Sequence, residues 1–377
     1  MEHNRLFSVL EHEEQHTILT AFAQLEESDV KATNEKGQTL LHLAVHKNQL
    51  AVAALLLSQG SFPNQKDATM LSPFIAAAAN GLSEMFQLIL QFSPDLLEVN
   101  RFGGTALLPS SEKGFLLIVQ QALDAGVPVN HANRLGWTAL LEAVILGDGG
   151  FLYQMIVEEL LVQGADITIP DFDGYTALDY VQQSGNENMM TLLKQGHIIS
   201  DFSEIKQLIR RGDYYQALKQ LLAMGESLER CYYLGYTYEC LSQYKTAKYY
   251  YQQGLKDDPQ FAYYLANLAK KSKDVEQALV YFDLGAKSNN QVFFLYHKSN
   301  YLREMNRHPE AIAIMNELLV NDPTRVDYLF HKANSLRSLG KHQEAYEAMM
   351  QARRLQPEND LFREHAMQSK EMQQITK

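Results

Sequence analysis

The chain has 377 residues, of which 46% are hydrophobic and 21% charged, with a formal charge of −12. That length accommodates two or three domains with sizeable cores, and the acidic balance disfavours broad binding to nucleic acid or an anionic membrane. The only two cysteines, Cys231 and Cys240, exclude a disulfide framework and fit a reducing compartment, and no apolar run reaches the roughly 20 residues of a membrane span.

The first stretch with chemical content is "HEEQH", residues 12–16. It fits H-E-x-x-H, in which two His one helical turn apart hold zinc and the Glu is the general base. Glu35 follows where some zinc peptidases place a third ligand. The opening residues lack a basic start followed by a long apolar stretch, so a secretory signal is not expected.

Internal repeats follow. A hydroxyl residue recurs at Thr39, Ser72, Thr105, Thr138 and Thr176, at spacings of 33, 33, 33 and 38. Each opens an apolar helical pattern followed by a second, as in "LLLSQG" (55–60) and "LLVQGAD" (160–166). This resembles the ankyrin repeat, whose pattern runs G-x-T-P-L-H-x-A and then L-L-x-x-G-A-D. The resemblance implies five repeats over 34–196 and a degenerate N-terminal cap over 1–33. The first repeat alone keeps the His, as His42, which is expected to bond backbone at a repeat junction; Ser72-Pro73 alone keeps the Pro. The third, "GTALLPSSEKG" (104–114), departs most from the pattern. The 38-residue spacing places five extra residues at Asp148–Leu152, between the two helices of the fourth repeat.

The repeat register bears on the zinc pattern. Shifting the first repeat back by 33 residues puts Val45 on His12 and Gln49 on His16, with the helix–helix turn at Gln15. His12 then closes one helix and His16 opens the next, so the two do not share a face. No metal site and no catalytic residue are expected, with a zinc metallopeptidase kept as the alternative.

From residue 201 the period changes. "CYYLGYTYECLSQYKTAKYYYQQGLKDDP" (231–259) carries Leu234-Gly235, Tyr238, Ala247, Tyr251, Gly254 and Pro259. The small residue recurs at Ala217, Ala247, Ala278, Ala311 and Ala345, and the closing Pro at Pro259, Pro323 and Pro357, with Asn290 in its place between. This resembles the tetratricopeptide repeat, two antiparallel helices interlocked by small and large residues. The resemblance implies one partial unit (about 201–225), four full units (about 228–359) and a C-terminal cap helix (359–377). The expected domains are thus 1–196 and 201–377, and the fold class is all-α, two consecutive helical-repeat solenoids.

Equivalent positions of the first helix in each tetratricopeptide unit hold Tyr236, Asn267, Asn300 and Asn334. Three residues on are Glu239, Lys270, Arg303 and Arg337; four residues before are Tyr232, Tyr263, Tyr296 and Phe330, followed by Tyr233, Tyr264, His297 and His331. An Asn amide offers donor and acceptor together and pairs with an extended peptide backbone; the cations favour acidic groups. The expected peptide-binding set is therefore Asn267, Lys270, Asn300, Arg303, Asn334 and Arg337, with Tyr263, Tyr296, His297 and His331. The alternative for the aromatic row is packing between units. The likeness to chaperone-tail binders is partial, because an aromatic residue stands where those carry a Lys. At the ankyrin turn tips, Arg101, Phe102, Arg134, Leu135, Trp137, Phe172 and Tyr175 are the residue types of interface hot spots.

These patterns point to a non-catalytic protein–protein scaffold. It would hold an acidic extended peptide along the tetratricopeptide helices and a second protein at the ankyrin tips. The expectation includes one or two protein or peptide partners and no cofactor, nucleic acid or small-molecule substrate. It also places the chain in the cytoplasm. The pairing of the two repeat types resembles effectors that intracellular bacteria deliver into host cells, which implies the host cytoplasm. The rival is a purely intramolecular role, with the inner face filled by the chain's own C-terminal helix.

Overall fold

The structure, a computed structural model, describes residues 2–198 and 200–375. The expected domain ends at Met1 and Lys377 therefore lie outside the described residues. Among those residues there are 24 helices and no strand, only an isolated bridge between Ala132 and Thr138. The chain divides into two compact parts between His197 and Ile198.

The first part opens with α1 (Glu2–His12), α2 (Gln15–Phe22) and the short α3 (Glu27–Lys31). The "HEEQH" stretch is broken at Glu13–Glu14, one residue before the expected turn. His12 ends α1 and His16 is the second residue of α2, so the shared helix face that the zinc pattern requires is not formed.

Five helix pairs follow: α4 (Leu40–His46) with α5 (Leu50–Ser58), α6 (Pro73–Ala79) with α7 (Ser83–Leu90), α8 (Leu107–Glu112) with α9 (Leu116–Ala125), α10 (Ala139–Ile145) with α11 (Phe151–Val162), and α12 (Ala177–Ser184) with α13 (Glu187–Gln195). Four of the recurring hydroxyls cap their helix. Thr39 accepts from the His42 amide at 3.4 Å, Ser72 from Ile75 at 3.2 Å, Thr138 from Leu141 at 3.3 Å and Thr176 from Asp179 at 3.4 Å. Each such cap is worth about 1 kcal/mol.

Thr105 is the exception, and Pro109 is the reason. A helix capped at Thr105 would need the Pro109 amide to donate to the Thr105 carbonyl, and proline has no N–H. Instead Leu108 donates to that carbonyl at 3.2 Å, and α8 starts at Leu107. Pro109 then stands third in the helix, where no intrahelical donor is required. The Thr105 hydroxyl is left buried without a hydrogen-bond partner.

His42 is fully buried and ties the first two repeats together. Its Nδ1 accepts from the Thr39 amide at 3.0 Å, which leaves Nε2 to donate to the Leu71 carbonyl of the next repeat at 3.1 Å. Burial pulls its pKa below the ordinary histidine value. The five extra residues of the fourth repeat are shared rather than confined to Asp148–Leu152. The α10–α11 loop spans residues 146–150, and α11 runs to 12 residues against 8 to 10 in the other second helices.

The second part begins with a partial unit, α14 (Ser203–Arg210) and α15 (Tyr214–Ala223). Four full units follow: α16 (Leu228–Cys240) with α17 (Tyr244–Gly254), α18 (Phe261–Lys271) with α19 (Val275–Gly285), α20 (Gln291–Glu304) with α21 (His308–Asn321), and α22 (Val326–Ser338) with α23 (His342–Leu355). α24 (Asp360–Ile375) ends the described chain. The recurring Ala217, Ala247, Ala278, Ala311 and Ala345 are all fully buried, as close helix pairing requires. Five residues before each, the turn between paired helices passes through left-handed backbone at Gly212, Ser242, Lys273, Asn306 and Gly340.

Candidate interaction surfaces

Each ankyrin turn is built around one acidic or amide side chain, five residues before the hydroxyl. Oδ1 of Asn34 accepts from the amides of Lys36 and Gln38, Asp67 from Thr69 and Leu71, Asn100 from Phe102 and Gly104, Asn133 from Leu135 and Trp137, and Asp171 from Asp173 and Tyr175, at 2.8–3.1 Å. This side chain replaces the backbone acceptors a turn lacks. Adjacent turns are then stitched together. Ala68 donates to the Lys36 carbonyl at 3.0 Å, Arg134 to Phe102 at 2.8 Å and Phe172 to Leu135 at 3.4 Å. These turn-building residues were missed in reading the sequence, although they recur at the same spacings as the hydroxyls.

The expected tip residues separate by burial. Leu135 and Trp137 are buried, at 4% and 8% exposure. Arg101, Phe102 and Arg134 are half-buried, with the Arg101 guanidinium 5.5 Å from the Phe102 ring centroid. Phe172 and Tyr175, on the turn of the last repeat, are 63% and 45% exposed.

In the second part the aromatic row packs between successive inner helices. Ring centroids lie 4.8 Å apart for Tyr232–Tyr264, 5.0 Å for Tyr263–His297, 5.7 Å for Tyr296–His331 and 4.6 Å for Phe330–His365. Tyr263 and Tyr296 also place their hydroxyls 3.4 and 3.2 Å from the His297 and His331 rings. All four of these Tyr and His side chains are buried. His365 extends the His row into α24, which therefore stands in the register of a fifth inner helix. The sequence reading did not include His365, although its spacing from His331 equals that from His297 to His331.

The Asn and cation rows are also joined to each other. Arg303 donates to Asn300 Oδ1 at 2.8 Å and reaches Nδ1 of His331 in the next unit. Arg337 donates to Asn334 Oδ1 and then to α24, at the His365 carbonyl (3.3 Å) and the Ser369 hydroxyl (3.2 Å). Asn300 and Asn334 are buried, and burial pushes the Arg337 guanidinium down to about 10. The result is a clasp from Asn to Arg to the following unit, made twice.

The clasp is incomplete in the earlier units. Lys270 stands where Arg303 and Arg337 stand. It faces Glu304 at 3.8 Å and lies 4.8 Å from the Tyr301 ring centroid. Asn267 Oδ1 is left buried without a partner. In the first unit Glu239 occupies the cation position, bonded to Lys271 (2.7 Å) and the Tyr251 hydroxyl (2.9 Å). The Tyr236 hydroxyl is buried against the Cys240 thiol, its hydrogen-bond partner. Asn334 Nδ2, under α24, also lacks a partner. Of the expected peptide-binding set, Asn267, Lys270, Arg303 and Arg337 are thus half-buried, and the rest are inside the stack.

Family comparisons agree with this architecture. The ankyrin repeat model matches residues 36–68, a model of ankyrin repeats (3 copies) matches 74–171, and the tetratricopeptide repeat model matches 326–359. The putative ankyrin repeat protein YahD of Escherichia coli K12 is 39% identical over 166 residues, which cover 44% of this chain and 83% of that protein. The chain belongs to the ankyrin-repeat protein family. Among solved ankyrin-repeat structures, EF0377 is 34% identical over 50% of this chain and 96% of its own, with a TM-score of 0.48. An ankyrin repeat domain from Acinetobacter baumannii AYE is 37% identical over 51% of this chain and 97% of its own, with a TM-score of 0.49. Human ankyrin repeat and SOCS box protein 6 is 27% identical over 198 residues, and the chain spans only 44% of that protein. Ankyrin and tetratricopeptide repeats together make a protein–protein interaction module.

Proposed function

We propose that the protein is a non-catalytic adaptor, holding one partner at the ankyrin turn tips and an extended peptide along the inner tetratricopeptide helices. The observation that carries this is the exposure of Phe172 and Tyr175 on stitched turns. Large aromatic rings on a rigid backbone contribute contact area at little entropic cost, which is the character of a binding hot spot. Arg101, Phe102 and Arg134 flank them on neighbouring turns. The two cysteines are unpaired, in keeping with a cytoplasmic location.

The test is differential capture of partners by the full chain. Phe172→Ser/Tyr175→Ser is expected to lose one set of captured proteins that Asn267→Leu retains. Identical capture by wild type and the tip variant sinks the assignment of the tips.

A further inference from the structure

The ankyrin turns stack on one another in a fixed way. The residue after a turn-building Asn or Asp passes its backbone across the glycine of the turn before. A Cβ on Gly37, Gly103 or Gly136 would lie 3.0, 3.3 and 2.8 Å from the amide nitrogens of Ala68, Arg134 and Phe172. Those same amides make the stitching hydrogen bonds. Gly174 is the next glycine in the series, and no described atom comes within 4 Å of its Cβ position. Beside it Tyr175 is 45% exposed, whereas Trp137, its equivalent one turn back, is 8% exposed. The helices of the same repeat are finished differently. Every exposed side chain on α12 and α13 is polar or charged, which is how a repeat array closes its end against water. The fifth repeat is thus ended at its helices and left open at its turn.

We infer that this open turn takes the tip of a partner protein's hairpin as a sixth turn, stacked end-on against Gly174 and Tyr175. This rests on the adaptor reading above and names the chemistry of that partner. The occupant continues an interface the chain already makes, so it has the shape of what covers Gly136. That cover is main chain, a tight turn centred on Asp171 with the amide of the next residue turned to the turn before. The partner therefore brings an Asn- or Asp-centred turn of the same kind. A whole helix pair would meet the polar faces of α12 and α13 and strip water from them without apolar gain. An aromatic segment laid across the tips would reach Phe172 and leave the floor over Gly174 uncovered. In a second copy, turns two, four and five already lie on their own neighbours, so the partner is a different protein.

The probe is a fluorescein-labelled hairpin carrying the segment that covers Gly136, residues 169–177 closed by a disulfide between two added terminal cysteines. It is titrated with the full chain and read by fluorescence anisotropy. Wild type is expected to bind it. The same peptide with its cysteines alkylated should bind about tenfold more weakly, because the open chain must be ordered on binding. Gly174→Asn keeps the left-handed backbone, which Asn tolerates, and fills the floor of the turn. It is expected to weaken the hairpin at least about tenfold, the cost of overpacking one contact, with Phe172 and Tyr175 still present. Gly185→Asn, at the left-handed end of α12, is the control and should bind as wild type does. Hairpin binding untouched by Gly174→Asn, or equal binding of the open peptide, overturns end-on stacking and leaves the exposed rings as a plain hot spot. Absence of hairpin binding to wild type at about 1 mM, the weak end of the affinity scale, overturns the inference too. The adaptor reading falls separately, if Phe172→Ser/Tyr175→Ser captures the same proteins as wild type. Concentration-dependent dimers of wild type that Gly174→Asn abolishes would place a second copy on the turn and overturn the separate partner.

Discussion

Gly235 lies in the middle of α16, where alanine is normally preferred. On helix propensity alone, Gly235→Ala should stabilise the chain by about 1 kcal/mol. The packing opposes this. A Cβ on Gly235 would sit 2.9 Å from Tyr251 Cζ and closer still to Cε1 and Cδ1 of the same ring. Carbon contacts relax at about 3.5–4.0 Å, so the ring or the helix must retreat by about 1 Å. Tyr251 is 1% exposed and donates to Glu239, which in turn holds Lys271. Overpacking of this kind costs about 1–3 kcal/mol, and weakening a hydrogen bond to a carboxylate adds about 1.5–3 kcal/mol. The clash therefore wins, and we expect a net loss of about 2–4 kcal/mol. Urea denaturation followed by circular dichroism measures it, with Trp137 fluorescence reporting the ankyrin part separately. Tyr251→Leu frees the space, so the double variant should lose less than the sum of the singles by at least about 1 kcal/mol. A Gly235→Ala protein as stable as wild type would refute the tight interlock of α16 and α17.

Met70 holds the left-handed turn position that glycine holds in the other four repeats, with φ of 63°, and it is 47% exposed. Met70→Gly should relieve that strain and raise stability by about 0.5–1 kcal/mol, read by thermal denaturation. The depressed pKa of His42 means the folded state refuses a proton that the unfolded chain accepts. Stability should therefore fall as pH drops through about 6.5, with a smaller slope in His42→Gln, measured by urea midpoints between pH 7.5 and 5. Glu98 is buried, takes hydrogen bonds from Asn64 and Ser72 on one oxygen, and has no partner on the other. Burial raises its pKa, so its contribution weakens as pH rises out of the carboxylate range. Glu98→Gln should be more stable than wild type at pH 7, with the difference shrinking toward pH 4 in paired thermal melts.

The sequence displayed the fold where a physical need is met by one residue type. A helix cap wants a hydroxyl, so the Thr and Ser series gave the ankyrin register, and close helix pairing wants alanine, so the Ala series gave the second. The left-handed turns of the second part were not visible. Gly212, Ser242, Lys273, Asn306 and Gly340 share a backbone conformation and little side-chain chemistry. The interaction rows were found at the correct helical positions, yet their exposure was not readable. Whether Arg337 faces solvent depends on α24, and its partners there are a carbonyl and Ser369, which carry no charge to signal the contact. Likewise Trp137 and Tyr175 hold equivalent turn positions, and only their surroundings make one buried and the other exposed.

The clasp also has a direction. Each Arg bonds the Asn of its own helix and then the inner helix that follows the next turn of the stack, so the third unit gives to the fourth and the fourth gives to α24. Units joined this way are not interchangeable beads. A copy of the third unit inserted after itself would find an acceptor at both junctions and should lengthen the stack without loss. The same copy placed after the first unit would receive nothing from Glu239 and would find Tyr264, not a histidine, at the equivalent position of its successor. Growth of such an array is therefore favoured in its later half, toward the terminal helix.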